Sequence, residues 1–202
     1  VYRLSNVLTL DGSLRLDATR GYRSQTNGRL ALVWKADDSL VAKAIYGTAY
    51  RPPNDYEAHY QIAGAGGYEA NPQLRSEAVH GAELNVEWHP DANDSLSASI
   101  YQNQAHRLIV QARDDAADSY TFVNQGVVVA RGAEVEWQHA WEHGERVRAN
   151  ASTAFATDRD TGTPIAVYAP RYIANLTAIA PVASGVQAGL QWRAVARRGG
   201  AG

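Results

Sequence analysis

The sequence predicts an all-β chain, part of an antiparallel up-and-down transmembrane β-barrel. Three observations lead there. Apolar and polar residues alternate with period two through run after run, and no helical period is convincing anywhere. Several runs exceed the roughly 9–11 residues that a tilted strand needs to cross a bilayer, whereas soluble strands are nearer ~5–6. Trp34, Trp88 and Trp137 each close such a run, and a short polar turn follows each within a few residues. Amphipathic rings at one end of apolar-faced strands suit a water–lipid boundary.

The runs lie near 7–20, 27–36, 39–50, 78–89, 94–112, 119–141, 145–157, 171–181 and 185–196, with a stub near 2–5. One face opens with Leu8, Leu10, Leu14 and Leu16. It continues through Leu30, Leu32 and Trp34, then Leu84, Val86 and Trp88, and later Leu96, Ala98 and Ile100. Leu176, Ala178 and Ala180 extend it, and Leu190 and Trp192 end it. The other face carries Arg29, Lys43, Glu83, Glu87, Glu134, Glu136, Arg148, Asn150 and Asn175. In a barrel the apolar face meets lipid and the polar face lines the lumen.

Connections alternate in length. Short ones follow the three tryptophans and occupy 181–185. Long ones are 51–77, 113–118 and 158–170, with a mid-length one near 20–27. That alternation fits short periplasmic turns and longer external loops. The tryptophans then mark the periplasmic boundary, and Trp192, well past its own turn, belongs nearer the outer one. One position resists the pattern. The parity of Val127 and Val129 puts Arg131 in lipid, at a cost of about 2–4 kcal/mol at mid-bilayer. A β-bulge beside Gly132 would reset the parity, so a bulge is expected there.

Composition sets the bounds. At 202 residues the chain is one domain or part of one. Net charge is −2 with no basic tail, so nothing points to nucleic acid. Cysteine is absent, which suits passage through an oxidising compartment. No signal segment is visible, and no apolar run reaches the length of a membrane helix. Methionine is absent, Val1 opens inside a strand end and 197–202 reads as a ragged stop. Residues 1–202 are therefore taken as a fragment.

Three motif blocks give this pattern a family. The first is Tyr46-Gly47-Thr48-Ala49-Tyr50-Arg51-Pro52-Pro53, followed by Glu57. The second is Asn71-Pro72-Gln73-Leu74, then Glu77 and Glu83. The third runs from Phe122-Val123-Asn124-Gln125-Gly126 to Arg131-Gly132-Ala133-Glu134-Val135-Glu136. In this order and spacing they resemble the C-terminal barrel half of the TonB-dependent outer-membrane receptors, the siderophore and cobalamin transporters. The final region with Pro164, Pro170, Tyr172 and Asn175 resembles the family too. Two departures are Ser76, where proline is frequent, and Ala70, where glycine precedes Asn-Pro. Ser76 is expected to matter little, as a loop residue.

The resemblance implies about nine to ten strands of a barrel of about 22, of the kind whose lumen is plugged. It implies a Gram-negative outer-membrane location and TonB-energised uptake of an iron–siderophore or similar metal chelate. Implied partners are outer-membrane lipid, the receptor's own plug domain, and the TonB complex reached through an N-terminal region. Plug and final strands lie outside this fragment. No enzyme activity, cofactor or resident metal is implied.

Candidate sites follow. Loop 51–77 offers Arg51, Tyr56, His59, Tyr60 and Tyr68 for ligand contact, or else is a structural lid. Glu83, Glu87, Glu134, Glu136 and Arg148 are read as an interior charge ladder facing the plug, in preference to acid/base pairs. A three-residue turn after Trp141 would set Glu136 opposite Asn150 and diagonal to Arg148. Trp34, Trp88, Trp137 and Trp192 form the membrane girdles. None of the six histidines has trustworthy metal-ligand spacing. Asp114, Asp115 and Asp118 have hard oxygens that suit calcium, although a solvated loop is the commoner outcome. The alternatives are a plain porin, an outer-membrane barrel enzyme, and a soluble β-rich binding module.

Overall fold

In a computed structural model that describes residues 1–18, 24–165 and 170–196, the alternating runs build one sheet. Its elements are β1 (Tyr2–Arg3), β2 (Leu8–Asp17), β3 (Gln25–Lys35), β4 (Leu40–Arg51), α1 (Asp55–His59) and β5 (Gly67–Glu69). Then come β6 (Glu77–Trp88), β7 (Asp94–Asp114), β8 (Ser119–Ala140), β9 (Arg146–Asp158), β10 (Tyr172–Ala183) and β11 (Val186–Val195). All but β5 pair antiparallel with their chain neighbours along the path β1-β2-β3-β4-β6-β7-β8-β9-β10-β11, while β5 lies parallel to β8. The sheet is open, with β1 and β11 at its edges. The fold is therefore all-β, an antiparallel slice that fits part of a barrel.

There is almost no core. Among the described residues the buried apolar positions are Ala31, Pro53, Ala58, Gly67 and Val129, and no large side chain is fully enclosed. The chain exposes 13930 Å², where a compact protein of this mass would expose ~9,300 Å². Leu14, at 84% exposed, Leu190 at 67% and Ile100 at 57% all stand on the apolar face. A soluble sandwich would turn these side chains inward.

The registers fix the faces. Leu40↔Trp88, Trp88↔Leu96, Leu96↔Trp137 and Trp137↔Ala149 run as one row across five strands. Trp34 pairs with Ala42, one pleat along from Leu40. The three tryptophans thus share one face and one end. Trp192, expected to stand apart, joins the same row through Leu176 and Ala149. Strand tilt accounts for this, because a row perpendicular to tilted strands climbs away from the turn edge.

Turn chemistry repeats at both ends. Asp37 Oδ1 accepts from the amides of Ser39 and Leu40, and Asp91 Oδ1 from those of Asn93 and Asp94. Asp114 does the same for Ala116 and Ala117, and Asp158 for Asp160 and Thr161. Each aspartate closes a turn on its own backbone. The Ser39 hydroxyl also donates to Asp37 at 2.7 Å and holds that carboxyl below its ordinary range.

Several expectations are corrected. No bulge forms at Gly132; the β7–β8 register runs unbroken from Asp94↔His139 to His106↔Val127. Gly132 is needed because the Tyr101 ring of the facing strand lies where its Cβ would be. The bulge in the described sheet falls instead between Pro181 and Ala183, inside β10, so the turn there shrinks to Ser184 and Gly185. The connection 113–118 is no long loop. β7 and β8 reach 21 and 22 residues, and only a tip joins them. Loop 51–77 holds a helix and a strand where neither was expected. Residues 19–23, 166–169 and 197–202, and the expectations placed on them, lie outside the described residues.

Candidate functional site

The loop end is organised around α1. Pro52 and Pro53 end β4, since neither can donate to a ladder. Asn54 caps α1: its side chain accepts from the Glu57 amide at 2.8 Å, and Glu57 Oε2 accepts from the Asn54 amide at 2.9 Å. This is a capping box, with two orphan donors satisfied reciprocally.

Arg51 then holds the loop to the sheet. Its Nε and Nη2 donate to the two Glu77 oxygens at 2.8 and 2.7 Å, and Nη1 donates to both oxygens of Glu57 at 3.0 Å. The planar fork suits this bidentate geometry. Glu77 Oε1 also accepts from the Ile109 amide at 2.8 Å, which brings in β7.

A second clasp lies nearby. The Asn124 amide group donates to the carbonyls of Arg75 and Arg107 at 2.8 and 2.9 Å and accepts from the Arg75 amide at 2.7 Å. Asn71 Nδ2 donates to the Phe122 carbonyl at 2.8 Å. Arg107 and Gly126 stand between the pairs His106↔Val127 and Leu108↔Gln125, and both have positive φ, 56° and 76°. A left-handed non-glycine residue persists only where its surroundings over-determine it. Here Arg107 Nε donates to the Ser76 carbonyl at 3.1 Å, and Asn124 holds the Arg107 carbonyl. Ser76 is only 7% exposed, so it is not the indifferent loop residue expected.

Aromatic rings fill the space between loop and hairpin. Tyr56 lies 4.4 Å from Tyr60 and 5.8 Å from Phe122, centroid to centroid. Tyr68 stands 5.1 Å from Tyr60 and 5.6 Å from Tyr120. Desolvation and the neighbouring Tyr68 and Tyr60 push the Tyr56 phenol above its ordinary range. Of the predicted ligand-contact residues, Tyr56, Tyr60 and Tyr68 come together, Arg51 sits in the clasp, and His59 is exposed at the end of α1. Sequence reasoning missed Tyr120, Phe122 and Asn124 as members of this site. Asn124 stood in a quoted motif, yet nothing local says that it binds a segment about fifty residues away.

On the polar face, three ion pairs repeat one geometry. Arg29–Asp11 at 3.8 Å, Lys43–Glu87 at 2.6 Å and Arg148–Glu136 at 2.6 Å each join neighbouring strands diagonally. The register is the expected one, Glu136↔Asn150 and Gln138↔Arg148. Partly exposed pairs like these contribute about 0.2–1 kcal/mol each. Glu83 and Glu134 have no ionic partner among the described residues. They border a hollow of about 530 Å³ with Arg29, Tyr101 and Asn103.

Other polar groups have structural occupations. Arg113 engages Asp115 and Asp118 at 3.0 and 2.9 Å. His139 lies 2.9 Å from Asp94 and against the rings of Trp137 and Trp141. No group of three or more His, Asp or Glu among the described residues is placed to hold a metal ion.

Comparison with known proteins fits this geometry. No curated protein matches the sequence. In fold, the chain is similar to the siderophore receptor PirA from Pseudomonas aeruginosa, with a TM-score of 0.75 at 18% identity over 93% of this chain and 37% of that one. It is similar to the ferric enterobactin receptor PfeA from the same organism, solved with enterobactin, with a TM-score of 0.78 at 19% identity over 95% of this chain and 31% of that one. The copper transporter OprC gives a TM-score of 0.70 at 17% identity over 94% and 33%. The chain thus spans about a third of the length of these proteins. The sequence matches the family described as TonB dependent receptor-like, beta-barrel, over residues 1–201. The chain therefore belongs to the TonB-dependent receptor family, in the part that forms its β-barrel.

Proposed function

We propose that this chain is part of the barrel of an outer-membrane receptor that takes up an iron–siderophore or a similar metal chelate, driven by TonB in the full-length protein. The observation that carries the reading is the crown at the loop end. There Tyr56, Tyr60 and Tyr68 are fixed against Tyr120 and Phe122 by the Arg51 and Asn124 clasps. Rigid aromatic groups at an external mouth suit capture of a flat or aromatic chelate. With Arg51 committed to carboxylates, capture falls to Tyr56 and His59, the exposed members. Similar folds in a ferric enterobactin receptor and a copper transporter support the substrate class.

The remaining assignments follow. The apolar face meets outer-membrane lipid, with Trp34, Trp88, Trp137 and Trp192 in its girdles. The polar face lines the lumen, where Glu83, Glu87, Glu134, Glu136 and Arg148 meet the plug. Glu83 and Glu134, without an ionic partner among the described residues, are the natural acceptors for plug cations.

The test uses the full-length receptor. Ferric catecholate added to the purified protein should quench its intrinsic fluorescence saturably, and Tyr56→Ala with His59→Ala should weaken that binding. Cells lacking TonB should bind the chelate and not accumulate it. A protein that ignores chelates and conducts ions freely in planar bilayers is the porin instead. One that stays monodisperse without detergent is the soluble module.

A further inference from the structure

The upper edge of the apolar face is polar in a patterned way. Tyr46↔Ala82, Ala82↔Gln102, Gln102↔Arg131 and Arg131↔Phe155 form one row. Toward the short turns the same face carries Leu84, Ile100 and Val135; toward the loops it carries Thr48, His80, Gln104 and His106 on β4, β6 and β7, beside Val129 and Val127 on β8. The backbone climbs about 15 Å from Trp137 to Arg131, at ~3.4 Å per residue and a tilt of ~40°, past the middle of an apolar band of ~25 Å. The long side chain can carry the charge further toward the boundary.

Two hollows meet at this row. The lower, of about 630 Å³, lies among Leu30, Leu32, Ala44, Leu84 and Ile100 and reaches Arg131. The upper, of about 330 Å³, is bordered by His80, Gln104 and His106. They share Tyr46, Ala82 and Gln102, so they form one trough, apolar below and polar above. At the junction Arg131 Nε donates to Gln102 Oε1 at 2.7 Å, which orients the guanidinium. Its two terminal nitrogens have no partner among the described residues. His80 Nδ1 is 2.9 Å from the Tyr46 hydroxyl, and its ring meets that of His106 edge to face at 5.4 Å.

We propose that this trough seats a lipid with an anionic, phosphorylated headgroup, its chain on the alanine floor and its phosphate on Arg131. Shape and charge agree. The floor at Ala44 and Ala82 lies between larger walls, Arg131 is the one arginine or lysine among the described residues that line the trough, and Glu83, which also borders the lower hollow, belongs to the polar face; a guanidinium whose terminal nitrogens have no partner among the described residues suits phosphate. The proposal rests on the membrane reading of the apolar face.

The test is native mass spectrometry of the intact receptor in detergent, with phosphatidylglycerol or phosphatidylcholine of matched chains. The wild type should retain the anionic lipid preferentially. Arg131→Gln should cut that preference about five-fold, the share of one surface guanidinium, and Arg131→Lys should keep most of it. Ala82→Leu, which raises the floor, should weaken both lipids and leave the preference intact. Inorganic phosphate should displace nothing. Equal preference in the wild type and Arg131→Gln overturns the proposal, as does displacement by phosphate, which would mean a free-anion site. A receptor monodisperse without detergent sinks the membrane reading with it, whereas a detergent-dependent receptor indifferent to headgroup sinks the lipid site alone.

Discussion

The two ends of the sheet mix local and distant bonds in different proportions. At the short-turn end each connection is closed mainly by its own residues: Asp37 by Ser39 and Leu40, Asp91 by Asn93 and Asp94, and 141–145 by Trp141, Gly144 and Glu145, with few links between them, His89 to the Ser39 carbonyl and Asp94 to Trp137 and His139. At the loop end the bonds join distant segments: Arg51 to Glu77, Asn124 to Arg75, Asn71 to Phe122, Ser119 to Glu69. One end is a set of self-closed turns with few links between them; the other is a cross-braced unit that also carries the self-closed tips at Asp114 and Asp158. Disturbing the first should stay local, and disturbing the second should spread.

Arg51→Ala should show the largest spread. It removes the donors of two carboxylates that are themselves mostly covered, 13% and 15% exposed. Hydrogen bonds to charged groups contribute about 1.5–3 kcal/mol; with Arg51 itself 44% exposed, the lower part of that range applies, about 2 kcal/mol. Hydrogen exchange should quicken at the Ile109 amide, on another strand, through Glu77. If only 51–59 loosens, the cross-brace is not a unit. Asn124→Ala comes next, at about 1–2 kcal/mol for its bonds to Arg75 and Arg107. It should free both 70–76 and the left-handed Arg107, seen as faster exchange and new proteolysis in 70–76.

The same contrast explains what the sequence disclosed. The strands, their faces and the Glu136–Arg148 diagonal follow from period two and local turn length, so they were legible. The short turns were legible too, because aspartate and glycine carry their own geometry. The crown was not. Asn54 and Glu57 spell a capping box, but a five-residue helix gives no period to read. β5 finds its partner in Ser119–Thr121, a parallel contact that no alternation announces. Gly132 was misread because a glycine inside a strand signals either a bulge or a close neighbour, and only the register reveals Tyr101 opposite.

Gly144→Ala probes the independent end. Gly144 has φ of 95°, and an added Cβ would meet nothing nearer than Pro181 Cγ at 3.8 Å. The cost is thus backbone strain alone, about 1–2 kcal/mol. Exchange should rise within 141–146 and nowhere in β7. A response at Ile109 would erase the contrast between the ends.

The smallest effect should come from acid at Asp37. Its carboxyl titrates below the ordinary 3.8, held there first by the Ser39 hydroxyl and then by the Ser39 amide. A lowered folded value means the carboxylate supports the turn above the unfolded value, and that support fades as pH falls through the folded one. The Ser39 and Leu40 amides should therefore stay protected at neutral pH and open only below 3.8. Asp37→Asn keeps an acceptor oxygen and removes the titration, so its turn should exchange independently of pH. Opening of the wild-type turn well above that value would mean that another group holds it.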